Sequence, residues 1–465
     1  ENTVTVPIRA FFGDLLKRPD RRKEYPIALI DRKVNLDQLL AIHNALKYPT
    51  AYIQGPPGTG KTNTIMNTII TAFFNEKTVL FVSYNNHPIN SVFKKLSTMN
   101  YMEKVIPFPI LRLGNTEKMK EALPYMRRLY EQAKETPVFE ATLDRNKDDR
   151  IERARKLSNL LKKYEDVLDL KEREETLNRL LEHEKQYGQS FQMLPFQADL
   201  SGRQLRRVSG KLAQAGEITD AEAMSYLDQN TEELKKYMYY MSARYMKRID
   251  DPKNEDLKNI LLCEDRKVQF DQFHQYLGKK ENIEKLLKIF PVIATTCISA
   301  HKLGEPEPMF DMVVMDEASQ CNTAIALVPI IRGESLMLVG DPQQLNPVIL
   351  LDEVINEQLK KRYRVSDDYD YRRNSIYKTY LACDAVSDEI LLHNHYRCHE
   401  KIIGFNNKKY YNSKLCVKTK SDEKFPLLYV DVQDSQSDVK NTAPSEIAEI
   451  VKYASMFQNK SIGVI

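Results

Sequence analysis

The sequence predicts an α/β fold built on parallel sheets, with a long, mainly helical insertion between two of its strands. Three observations carry that prediction. Short apolar runs rich in β-branched residues recur at 51–54, 78–82, 292–296, 312–315 and 335–339, and such runs read as strands buried on both faces of a parallel sheet. Helical patterns follow several of them, which is the βα rhythm of an α/β chain. Between about 115 and 290 the rhythm stops, strand signals become few, and long charged helical patterns take over.

Composition sets the outer bounds. At ~150 residues per domain, 465 residues predict about three domains. With 42% hydrophobic and 29% charged residues there is material for packed cores, which excludes a disordered chain. No apolar run approaches the ~20 residues that span a bilayer, so no membrane partner is expected. The start, ENTVTVPIRAFFGDLL, has no initiator Met and lacks the basic–apolar–small order of a signal peptide. Six scattered cysteines with no CxxC pair exclude a disulfide framework and a cysteine-based zinc site, and they fit a reducing, cytoplasmic setting. A net charge of +4 predicts nothing about partners.

Along the chain, 1–34 reads as an N-terminal segment. Residues 35–114 and 291–352 form the first α/β lobe. Residues 115–290 form the helical insertion, and 353–465 a connector with the beginning of a second lobe. Within the insertion, 144–185 holds 24 charged residues out of 42 and no Gly or Pro. Leu157, Leu161, Tyr164 and Leu168 make a narrow apolar stripe at helical spacing, resumed by Leu177 and Leu181. Residues 188–216 read as the turn or small cap between helical arms. Thr219–Glu222 has capping-box spacing before another long helix. Lys61 and Asp316 are 255 residues apart, far more than strand–helix units of ~30 residues need, so the insertion is expected to loop out as its own body, an arm that clamps a strand or docks a protein partner. The tyrosine-rich stretch 362–380 reads as a solvated connector.

Three motifs carry chemistry. Gly55-Pro56-Pro57-Gly58-Thr59-Gly60-Lys61-Thr62 fits G-x-x-x-x-G-K-[ST], directly after a strand and before a helical pattern. Its glycines let the backbone wrap phosphates, Lys61 reaches the β- and γ-phosphates of ATP, and the Thr62 hydroxyl suits Mg²⁺. In MVVMDEASQ the strand ends on two carboxylates. Asp316 is placed to hold the Mg²⁺ shell, and Glu317 to orient or deprotonate the attacking water. In LVGDPQQL another strand ends in a turn with a polar amide pair, where Gln344 is placed to touch the γ-phosphate.

The order GPPGTGKT, DEASQ, GDPQQLNP resembles the superfamily 1 helicases. The DEASQ form is similar to the branch of RNA- and DNA-translocating helicases that includes the nonsense-mediated-decay helicase and the replication nuclease-helicase. The resemblance covers roughly 35–110 and 291–465, and not the insertion. It implies two RecA-like P-loop lobes with ATP in the cleft between them and single-stranded DNA or RNA across their top. Asn35-Leu-Asp-Gln38 resembles the adenine-reading motif, which gives Gln38 the adenine edge. Ser83-Tyr-Asn85-Asn86-His-Pro-Ile-Asn90 resembles the first strand-contacting motif, with Asn90 where the family has Asp and Pro88 where it has Ala. Ala294-Thr295-Thr296-Cys297 resembles the turn that touches the nucleic-acid backbone. In Asn394-His-Tyr396-Arg397-Cys-His399 the resemblance implies that Tyr396 stacks on the base and Arg397 reaches the γ-phosphate. A metal reading of His395, Cys398 and His399 lacks a second ligand pair. The chain stops at Ser461–Ile465, before motifs that the resemblance implies, and alone it is expected to turn over ATP poorly. The expected function is an ATP-driven translocase or helicase. The competing expectation is an ATP-gated module that binds nucleic acid and recruits a nuclease or other partner.

Overall fold

The computed structural model describes residues 4–19, 23–137, 151–187, 195–227, 230–421, 426–432, 442–457 and 461–464. Apolar, β-branched runs pair side by side into one seven-stranded sheet. Its strands are β1 (Thr50–Gln54), β2 (Val79–Ser83), β3 (Ile110–Arg112), β4 (Val292–Thr296), β5 (Met312–Asp316), β6 (Leu336–Gly340) and β7 (Glu389–Leu391), in the spatial order β3–β4–β2–β5–β6–β1–β7. Every pairing is parallel. All residues of β2, β4, β5 and β6 are buried, because helices cover both faces of such a sheet. The register sets Ser83 against both Thr296 and Asp316, and Gln54 against Gly340. The strand ends that precede the motifs are therefore level along one edge of the sheet.

The five strands read from sequence lie within one residue of their observed bounds. The two edge strands, β3 and β7, were not anticipated. Each has only three residues, too few for periodicity to show. Because β7 pairs with β1, the first unit of the molecule runs to Tyr396, well past the expected boundary near 352.

Helices α1 (Val6–Phe11), α2 (Leu36–Lys47), α3 (Lys61–Phe74) and α4 (Asn86–Ser97) precede the insertion. The N-terminal segment is built into this unit: Tyr380 Oη donates to the Pro7 carbonyl at 3.0 Å, and Phe11 packs edge-on against Tyr369. Between β3 and β4 the described elements are helical: α5 (Thr116–Lys134), α6 (Ile151–Tyr187), α7 (Pro195–Ala215), α8 (Asp220–Ser225), α9 (Thr231–Lys247), α10 (Glu255–Leu262), α11 (Arg266–Leu277) and α12 (Lys280–Leu287), with short 3₁₀ turns. Most of this segment does not loop out. Tyr245 and Tyr237 of α9 pack on Phe73 and Phe74 of α3 at 5.2 and 4.9 Å between ring centres, and one apolar core runs from the sheet into α5, α9, α10 and α12.

Only part of the α6–α7 hairpin stands away from that core. The root of α6 lies on α2, where His43 Nε2 meets Ser158 Oγ at 2.9 Å, and Leu157 and Leu161 are buried as the stripe predicted. Beyond Leu168 no described side chain of α6 or α7 is buried. The turn expected at 188–216 differs. Residues 188–194 lie outside the described residues, and 195–215 is helix. Thr219 caps a helix as expected, its Oγ1 accepting the Glu222 N–H at 3.2 Å, but it starts the six-residue α8 rather than a long helix.

Helices α13 (Thr323–Ile330), α14 (Glu353–Tyr363) and α15 (Ile376–Cys383) complete the unit. The stretch 362–380 is a solvated connector only in its first part: 362–368 are exposed, and the rest packs into the unit. Tyr377 and Tyr380 are fully buried, and buried Asp370 holds Lys360 Nζ at 2.6 Å and Asn356 Nδ2 at 3.2 Å. The second unit, Arg397–Ile465, contains α16 (Glu400–Tyr410) and α17 (Pro444–Met456), with a small core of Ile403, Tyr411 and Leu415. Among the described residues no helix is long and apolar enough to cross a membrane.

Candidate nucleotide site

The chain leaves β1 at Gln54 and enters α3 at Lys61, so the six residues Gly55–Gly60 must reverse direction tightly. Gly58 and Gly60 take left-handed φ values of 80° and 88°. Space excludes side chains as well. A Cβ on Gly60 would stand 2.4 Å from Gln38 Nε2, and one on Gly55 2.3 Å from Lys61 Cγ. Thr59 Oγ1 closes the loop by donating to the Pro56 carbonyl at 2.7 Å. At the start of α3 the Lys61 and Thr62 N–H groups have no protein partner among the described residues, which leaves donors and the positive end of the helix for an anion.

The acidic pair sits beside this loop. Asp316 ends β5 and is 3% exposed. Burial, and after it the neighbouring Glu317, push its carboxyl up to about 6, against the pull of Lys61 and of the Glu317 N–H, which donates to Asp316 Oδ1 at 2.8 Å. Glu317 follows with φ 52°, a left-handed conformation that a non-glycine residue adopts only when its surroundings hold it there. Lys61 Nζ lies 3.4 Å from Glu317 Oε1. On the other carboxylate oxygen Gln320 Nε2 donates at 3.4 Å, and Gln320 Oε1 receives Asn85 Nδ2 at 3.5 Å. A hydrogen-bonded line therefore runs from the first turn of α4 to Glu317.

Gln344 is held by Asp341, whose Oδ2 receives Gln344 Nε2 at 3.1 Å. Asp341 is fully buried and also receives Gln54 Nε2 at 3.4 Å on Oδ1. Sequence reasoning quoted this aspartate within its motif and gave it no role; its position directly after an apolar strand, like that of Asp316, was the available signal.

Gln38 is nearly fully buried. Its Nε2 donates to the Thr59 carbonyl at 3.1 Å, and its Oε1 accepts the Asn35 N–H at 3.2 Å as half of a capping box. Here it braces the phosphate loop, and both ends of its amide are engaged. Asn35 does more than the sequence showed: its Nδ2 donates to Tyr396 Oη at 2.9 Å. The Tyr396 N–H donates to the Gly58 carbonyl at 2.8 Å, so this half-exposed residue is fastened to the loop through its backbone and to the cap of α2 through its hydroxyl. Asp37, also missed, receives Tyr164 Oη of α6 at 2.6 Å and the His393 N–H at 3.1 Å. Arg397 is the first residue of the second unit.

The four expected nucleic-acid contacts separate. Asn85 and Asn86 are exposed at the start of α4, although Asn86 Oδ1 already accepts Arg112 Nη2 at 2.5 Å. Thr296 ends β4 at the sheet edge and donates to Ser299 Oγ. Thr295 is 1% exposed, so a strand cannot reach its side chain. Thr296 is itself only 9% exposed, because both faces of β4 are covered.

A parallel sheet with a phosphate loop after β1 and paired acids after β5 defines a P-loop nucleoside triphosphatase. The model of the AAA domain family matches residues 33–351, and the chain belongs to that family, within the superfamily 1 helicases of the branch that holds SEN1 and DNA2. It is similar to an uncharacterised ATP-dependent helicase of Methanocaldococcus jannaschii, 24% identical over 88% of this chain and 49% of that protein. It is similar to helicase SEN1 of Saccharomyces cerevisiae, 23% identical over 82% of this chain and 15% of that protein. The DNA replication ATP-dependent helicase/nuclease DNA2 of Gallus gallus is 30% identical over 29% of this chain and 12% of that protein. The chain thus spans about half the length of the first of these relatives and less of the other two.

Proposed function

We propose that the chain is the ATP-binding portion of a translocase or helicase that hydrolyses ATP to move along single-stranded DNA or RNA. The observation that carries this reading is the Lys61–Glu317 pair at 3.4 Å, joined through Gln320 to Asn85, beside Lys61 and Thr62 N–H donors that have no partner among the described residues. Lys61 and the N–H groups of Lys61 and Thr62 hold the phosphates. The Glu317 carboxylate accepts a proton from the attacking water. A hydroxyl and a buried carboxylate, Thr62 and Asp316, are the hard oxygen donors that suit Mg²⁺, which commonly takes one or two protein ligands beside phosphate and water. Magnesium, when bound there, neutralises charge on the phosphates. Tyr396, fixed above the loop by Asn35 and Gly58, offers a face for the base. A strand that displaces the Asn85 amide from Gln320 frees Gln320 to reposition Glu317, which is how a strand at the sheet edge speeds hydrolysis.

Displacement of streptavidin from oligonucleotides biotinylated at either end, by the full-length protein that carries this chain, tests the reading. ATP-dependent release from one end only is the expected result, and the family resemblance predicts the 3′ end. ATP hydrolysis with release from neither end would instead favour an ATP-gated switch.

A further inference from the structure

A groove between α5 and α11 lies apart from the nucleotide site and encloses about 910 Å³. Four cations line it against two carboxylates, Glu264 and Asp271. Arg127 is paired with Glu131 one turn on, at 3.1 Å. Lys120, Arg266 and Lys267 have no carboxylate within ion-pair distance among the described residues, and Arg266 and Lys267 are exposed. The one aromatic ring of the lining, Phe270, is half-buried and lies 5.6 Å from Lys120 Nζ.

The groove is also close to the working edge of the sheet. Helix α5 begins at Thr116, just after β3 ends at Arg112. Lys120 is therefore about 6 Å along the helix from its start. In the sheet β3 lies two strands from β2, about 10 Å from the end that carries Ser83 and leads to Asn85. A chain of negative charges crossing that edge meets unpaired cations next.

We propose that this groove is a second contact for the nucleic-acid strand, holding backbone phosphates on Lys120, Arg266 and Lys267 and a base on Phe270. Unpaired cations around an aromatic face are the combination by which single strands are bound without sequence preference: phosphates take the charge and every base has a face to stack. An acidic protein segment would match the charge but would leave the ring without a planar partner. The proposal rests on the reading that the chain works on nucleic acid, and it gives part of the helical segment a share in that binding.

The test uses fluorescein-labelled oligo-dT and oligo-rU, with anisotropy read over a range of salt. The double variant Arg266→Gln/Lys267→Gln should bind more weakly, and the slope of log affinity against log salt should shrink by about 1.4, at ~0.7 for each lost phosphate contact on a single strand. Whether the change appears with oligo-dT, oligo-rU or both tells which strand the groove holds. Binding of a fluorescent ATP analogue should not change, which shows that the variant is folded. A second measurement is independent of substitution: irradiating the unsubstituted protein with 5-iodouracil-containing oligonucleotide should place the cross-link in the tryptic peptide from Val268 to Lys279. An unchanged slope and no cross-link in that peptide, with the oligonucleotide still bound, would overturn the groove assignment and leave the general reading standing. Failure of the unsubstituted protein to bind either oligonucleotide would overturn both.

Discussion

Lys61 and Glu317 share one contact but have separable duties. Lys61→Ala removes the charge that meets the phosphates, so nucleotide binding should weaken and turnover disappear. Glu317→Gln keeps the size and the hydrogen bond from Gln320 but cannot take a proton. It should bind nucleotide as the parent does and lose turnover by ~10²-fold or more. Fluorescent-nucleotide titration beside a phosphate-release assay separates the two. Loss of binding by a folded Glu317→Gln protein would give Glu317 another role. Arg112 poses a different problem. It is 5% exposed, burial pushes it down to about 10 against the pull of Glu121, and among the described residues its hydrogen-bond partners are neutral: Asn86, Asn90 and the carbonyls of Leu113 and Ala294. It remains charged at neutral pH, and Asn90 stands where the resembling family has Asp. Asn90→Asp leaves an exposed carboxylate hydrated while pairing that charge, so stability should rise by about 0.5–1 kcal/mol, less at high salt. Urea midpoints at two salt concentrations measure this, and a lower midpoint would contradict it. The phosphate loop and the acids were legible because their chemistry is local. Asp37, Asp341 and the burial of Thr295 were not, because burial and partners are set largely by residues far away in the chain.

The seam between α2 and α6 joins the helical segment to the nucleotide lobe. In it His43 meets Asn44 Oδ1 and Ser158 Oγ, both at 2.9 Å. Burial depresses the His43 pKa below its ordinary 6.5. The hydrogen bond with Asn44 and the charges of Glu24 and Glu165 pull it up less strongly, and Lys47 adds to the depression. The folded protein thus keeps His43 neutral, while the unfolded chain takes up a proton once pH falls below about 6.5. Stability from this site is whole above that pH and is lost as pH drops toward the lower folded value. The melting temperature should fall between pH 7.5 and 5.5, and His43→Gln should flatten that fall; an identical fall in the variant would remove His43 as its cause. The central strands were readable because a strand buried on both faces is apolar throughout. How the helices attach was not. An apolar stripe such as Leu157–Leu161 shows that a helix has a partner but does not say that the partner is α2, and nothing local shows that Tyr237 and Tyr245 pack on α3.

For the molecule as a whole, the described arrangement divides the insertion into a part that holds the lobe together and a part that does not. Glu174 and Ser209 face each other across the hairpin at 2.5 Å, so a short Gly/Ser linker can replace 172–211 without moving the roots of α6 and α7. That variant should keep its melting temperature and its nucleotide binding. Replacing 116–288 should give an insoluble protein, because it strips Tyr237 and Tyr245 from Phe73 and Phe74. Circular dichroism and gel filtration distinguish the cases, and a soluble, folded 116–288 deletion would show that the continuous core is dispensable. On the proposed function, one site built on Lys61 and Glu317 hydrolyses ATP in response to a nucleic-acid strand. Phosphate release with and without single-stranded oligonucleotide, by the full-length protein that carries this chain, parent and Glu317→Gln, tests it most directly. The expected result is release that the strand stimulates in the parent, and none above background in Glu317→Gln while nucleotide stays bound. Release that ignores the strand, or that persists in Glu317→Gln, would contradict it.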